Sequence, residues 1–113
     1  MEKHTKDWIG IAIGSLALVA FIFVARPAHA ADNGATMFKA KCVACHGADG
    51  SGQTVMGKKF GIKDLGSAEV QKLTDQQLFD IISKGQNKMP SYSGKITDEE
   101  IKSLVTFIRT LKK

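Results

Sequence analysis

With 113 residues the chain is limited to one domain of modest size. Lysine and arginine number 16 against 11 aspartates and glutamates, a formal charge of +5 with a pI near 9.3. That balance would admit nucleic acid as a partner, but the lysines are dispersed and no helix carries an arginine stripe, so a nucleic-acid-binding role is set aside.

The first predicted element is an apolar run. Residues 9–24 are apolar or small without interruption, preceded by Lys3 and Lys6 and ended by Arg26-Pro27. Ala28-His29-Ala30 then places small residues at the two positions a signal peptidase reads, which predicts a signal peptide over 1–30 and a mature domain over 31–113. The competing reading is an uncleaved membrane anchor, with residues 9–24 as the tether and Trp8 at the interface. Sixteen helical residues span about 24 Å, somewhat short of the roughly 30 Å hydrocarbon core. Arg26 on the far side opposes the positive-inside rule, so cleavage is the favoured expectation. On either reading the domain is exported, periplasmic or facing the periplasm. His4 and His29 belong to this segment and are not expected to bind anything.

In the exported part, Asp32-Asn33 offers an N-cap. Gly34, Phe38, Cys42 and Cys45 then recur at i, i+4, i+8 and i+11 on one face of a first helix. Glycine is a poor helix former, so Gly34 marks either a close crossing by another helix or a plain loop residue before the helix.

That helix runs into Cys42-Val43-Ala44-Cys45-His46. Two thiols three positions apart can each add to one vinyl group of a haem, and the histidine that follows then lies beneath the iron as an axial ligand. A thioredoxin-like redox pair would sit in a βαβ context, and no strand-like run precedes Cys42. Structural zinc needs four ligands, and Cys42 and Cys45 are the only cysteines in the chain. A Cys42–Cys45 disulfide would close too small a loop to add much stability. Covalent haem is therefore the expected use of the motif.

Residues 47–72 are rich in Gly and Lys and show no sustained period of 3.6 or 2, which predicts a loop wrapping something. Phe60, Ile62 and Leu65 are its expected inward contacts. Thr74 to Gln77 reads as a capping box opening a second helix, with Leu78, Ile81 and Ile82 as its apolar face and Gly85 as its stop. The 86–96 loop carries Met89-Pro90. Thr97 to Glu100 is a second capping box, after which Ile101, Leu104, Val105, Ile108 and Leu111 recur at helical spacing with Phe107 widening the stripe. Arg109, Lys112 and Lys113 suit the negative end of that last helix. An apolar core alone is marginal at this size, so a covalently held haem is expected to complete it and the haem-free chain to be largely disordered.

These parts, in this order, resemble the small bacterial monohaem class I cytochromes c, the most specific piece being CVACHG from Cys42 to Gly47. The resemblance implies an all-α fold of three to four helices wrapped around one haem c, with the N- and C-terminal helices crossing at Gly34 and Phe38 against Leu104 and Phe107. It also implies Cys42 and Cys45 as thioether cysteines, His46 as the proximal iron ligand and Met89, 43 residues further on, as the distal one. Met37 and Met56 are expected as core filler or surface thioethers. One departure concerns a proline that precedes the loop leucine in many relatives and whose carbonyl accepts from the axial histidine. If Leu65 is that leucine, Lys63 holds the place of the proline.

A haem with both axial positions filled has no open position for a small-molecule substrate, which implies a single-electron carrier shuttling between redox proteins and no catalysis. The alternative is a haem enzyme or gas sensor in which Met89 is displaced. Residues 31–113 keep 12 lysines and one arginine against nine acidic residues, and Lys41, Lys88 and Lys95 lie near the ligand-bearing segments. They are expected to favour an acidic redox partner. Tyr92 and Ser93 are candidate hydrogen-bond donors to a haem propionate.

Overall fold

The computed structural model describes residues 28–113; the apolar run at 9–24 and most of the 1–30 targeting segment lie outside them. Among the described residues there are six helices and no strand. They are α1 Ala28–Lys41, α2 Val43–His46, α3 Val55–Phe60, α4 Ala68–Gln71, α5 Asp75–Lys84 and α6 Asp98–Thr110. None of them is long and apolar enough to cross a membrane.

The fold rests on the crossing of α1 and α6. A Cβ built on Gly34 would stand 2.0 Å from the Ser103 carbonyl oxygen and 2.8 Å from the Phe107 Cβ. Only a residue without a side chain lets the two backbones approach so closely. One turn along, the Phe38 and Phe107 rings lie 5.0 Å apart at 47°, an aromatic contact that fixes the crossing. Ile101, Leu104, Val105 and Ile108 of α6 are all buried, with Ile101 and Leu104 at 2 % exposure or less, so the stripe read from the sequence is the centre of the core.

Both predicted capping boxes form. The Thr74 hydroxyl accepts from the Gln77 backbone N–H while the Gln77 side chain accepts from the Thr74 N–H, and Thr97 with Glu100 repeats the exchange. Gly85 ends α5 at φ 75°, and Leu78 and Ile82 are buried beneath it.

Three expectations are corrected. Asp32-Asn33 is no N-cap: α1 is already helical from Ala28, where alanines favour the helix, and the Asp32 carbonyl accepts from the Thr36 hydroxyl four residues on. The 47–72 stretch is not one loop. It holds α3, capped by the Thr54 side chain and stopped by left-handed Gly61, and α4, capped by Ser67. Arg109 does more than sit at a helix end. Its guanidinium donates to the backbone carbonyls of Gln71 and Leu73 and pairs with Asp75, bracing α6 against the corner between α4 and α5.

Candidate functional site

The helices enclose a cavity of about 490 Å³, far larger than the water-sized voids of a packed interior. Its floor is the core itself, since Phe38, Val70, Leu78, Ile82, Leu104 and Ile108 are both core members and cavity lining. Phe60, Ile62 and Leu65 of the wrapping segment complete one wall, as expected.

Cys42 and Cys45 enter this cavity because α1 ends one residue before the motif and α2 turns the chain under it. The His46 N–H donates to the Cys42 carbonyl at 2.9 Å, and Gly47 then leaves the helix at φ 80°. The Cys45 carbonyl is covered from outside by the Thr54 hydroxyl, which donates to it at 2.7 Å. A Cβ on Gly57 would stand 2.7 Å from the same oxygen, so α3 clamps directly onto the motif. Sequence reasoning missed that clamp, although Thr54, with the amide of Gly57 three residues on, was its signal.

The chemistry of the donors separates the possible uses. Burial, with Cys45 beside it, pushes the Cys42 thiol up to about 11, whereas a redox-active cysteine is held low so that its thiolate can attack. Among the described residues there is no strand to frame a redox pair and no cluster of three His, Cys, Asp or Glu side chains that could hold zinc. The His46 imidazole is pushed below its ordinary value by burial, which keeps it in the neutral form that a metal ligand requires. Its Nδ1 is buried and finds no hydrogen-bond partner, a costly state for a ring nitrogen and a sign that this imidazole is held for a purpose other than packing. The Lys63 carbonyl is therefore not an acceptor to it.

Three methionines fall among the described residues. Met37 packs against the core and Met56 is exposed, and neither lines the cavity; Met89 is half-buried and does. The cavity thus brings together all four side chains singled out from the sequence, Cys42, Cys45, His46 and Met89. Two free thiols, a neutral imidazole and a thioether, set in an apolar pocket, fit a covalently attached haem.

At the mouth lie Lys41, Lys63 and Lys88, with Lys63 paired to Glu69. Lys95 stands elsewhere, its Nζ 5.7 Å from the centre of the Tyr92 ring. The Tyr92 hydroxyl donates to the Lys41 carbonyl at 3.1 Å, and Ser93 is exposed and bonds through its backbone to Ser83.

The comparisons with known proteins point the same way. A family model described as cytochrome C oxidase, cbb3-type, subunit III matches residues 29–108. Cytochrome c6 from Thermostichus vulcanus is 30% identical over 100 residues, covering 87% of each chain. Cytochrome c6 from Pyropia tenera is 31% identical over 77 residues, covering 68% of this chain and 87% of its own. Among solved structures, the c-type cytochrome KustC0563 superposes with a TM-score of 0.66 at 34% identity, covering 71% of this chain and 98% of that one. Cytochrome c6 from the diatom Phaeodactylum tricornutum gives 0.57 at 26% identity over 71% and 91%.

Proposed function

Because this chain belongs to the small monohaem class I cytochromes c, we propose that Cys42 and Cys45 hold its single haem c through thioethers and that His46 and Met89 are the two axial ligands. The protein is an electron carrier that shuttles electrons between redox proteins. What supports the ligand assignment most is one observation: Met89, alone of the described methionines, lines the cavity that His46 and both cysteines line.

When bound, the haem supplies a one-electron iron couple. The chain's residues set the conditions around it. Neutral His46 and the soft Met89 thioether would hold the iron, a donor pair that favours the reduced state and raises the potential. The apolar floor of Phe38, Leu78, Ile82 and Leu104 keeps water away from the iron and lowers the dielectric around it. With both positions held by these side chains, no place would be left for a substrate, and the group would supply outer-sphere transfer of one electron at a time.

Carbon monoxide tests this reading. The ferrous protein at neutral pH is expected to bind it slowly or not at all. Rapid binding would mean that Met89 yields its position and would restore the enzyme or gas-sensor alternative.

On this reading the domain is periplasmic or otherwise exported, with residues 1–30 as a signal peptide or, if uncleaved, a tether through residues 9–24 that leaves the domain facing the periplasm. Lys41, Lys63 and Lys88 around the mouth suit docking on an acidic face of the redox partner. Exchange with such a partner should slow as salt rises from about 0.01 to 0.15 M, over which the screening length shrinks from roughly 30 to 8 Å. A rate that ignores ionic strength would remove electrostatic docking.

A further inference from the structure

We infer that Tyr92 is a positioning residue whose hydroxyl latches the Met89 loop to the end of α1 and so holds Met89 at the cavity. The inference rests on Met89 as a ligand and adds what keeps it there.

The loop leaves α5 at Gly85 and returns to helix at Asp98, and its hydrogen bonds are almost all to its own side of the cavity. The Gln86 and Met89 backbones bond to each other at 2.9 and 3.1 Å across a turn in which Asn87 takes φ 53°. The Tyr92 and Ser93 amides donate to the Ile82 and Ser83 carbonyls of α5 at 3.1 and 3.0 Å, and the Ser91 hydroxyl donates to the same Ser83 carbonyl at 2.6 Å. These bonds tie the loop to α5 and would survive a swing of the loop away from the other wall.

Among the described residues, one hydrogen bond joins this loop to the haem-attachment side: the Tyr92 hydroxyl to the Lys41 carbonyl, 51 residues apart in sequence. Lys41 is the last residue of α1 and immediately precedes Cys42. Its carbonyl is one of the four at a helix end that have no partner within the helix, so it is free to accept from outside. Burial raises the Tyr92 phenol above its ordinary value, which keeps it a donor at neutral pH. The ring itself packs on the core and lies under the Lys95 ammonium. Phenylalanine would keep both contacts and lose only the latch.

The test uses the haem-loaded ferric protein with imidazole as a competitor for the methionine position, in three forms: unaltered, Tyr92→Phe and Met89→Ala. Removing one neutral hydrogen bond from the closed state alone should tighten apparent imidazole binding to Tyr92→Phe about fivefold. Without imidazole, that variant should retain the far-red sulfur-to-iron band and its helical circular dichroism. An imidazole affinity within about twofold of the unaltered protein overturns the latch, including when the urea midpoint falls, since that would mark Tyr92 as purely structural. Met89→Ala binding imidazole no more tightly than the unaltered protein would refute Met89 as a ligand, and the latch with it. A tighter Met89→Ala beside an unchanged Tyr92→Phe would refute the latch alone.

Discussion

Met89→Ala is expected to abolish the weak far-red absorption band of the ferric protein and to lower its reduction potential by on the order of 0.2 V, a part of the roughly 0.8 V over which axial ligands tune haem. The effect follows from what replaces the thioether. Alanine cannot reach the iron, so water or an added ligand takes the position, and harder donors stabilise the oxidised state. The fold should survive. Met89 is only half-buried, α5 and α6 carry the core without it, and the turn that holds it is made by backbone atoms that alanine keeps. Loss of the band with unchanged circular dichroism would locate the defect at the iron. A band that persists would transfer the ligand to Met37 or Met56, neither of which lines the cavity.

The double variant Cys42→Ser/Cys45→Ser is expected to lose the haem and, with it, most of its helical signal. Six of the eight core residues also line the cavity, so without the group the core surrounds a void. At about 24 cal/mol per Å³, a cavity of about 490 Å³ would cost up to ~12 kcal/mol, a ceiling because its mouth is open. Whole-domain stabilities run from about 5 to 15 kcal/mol, so the cost is comparable with everything the fold has. α1 and α6 could remain as a fluctuating pair through Gly34 and the Phe38 to Phe107 contact. The short α2, α3 and α4, of four to six residues each, are too short to persist alone. Retention of the full helical signal in the haem-free variant would show that the chain carries its own core.

Much of this was legible in the sequence because it is encoded locally. The capping boxes at Thr74 and Thr97 need only residues three apart, and the α6 stripe repeats over three turns. The Cys42 to His46 motif fixes its own geometry. Gly34 could be weighed as a packing site because glycine in a helix asks for a reason, and the Ser103 carbonyl supplies it. What stayed hidden is of two kinds. Helices α3 and α4 are too short for a period to show, and only the Thr54 and Ser67 caps betray them. Contacts between distant residues leave no local trace. Arg109 read as a helix-end charge but reaches Gln71, Leu73 and Asp75, and Tyr92 read as a propionate donor but reaches Lys41.

The central claim is that one haem is bound covalently at Cys42 and Cys45, and intact mass of the protein purified from its host tests it most directly. The account predicts a single species heavier than its polypeptide by one haem, with the added mass on the peptide that contains Cys42 to His46, and no added mass on the double-serine variant. The same spectrum reads the processing, because a polypeptide beginning at Ala31 and one retaining residues 1–30 differ by the whole targeting segment. A chain of unmodified mass, or one whose Cys42 and Cys45 are alkylated as free thiols, would contradict the account.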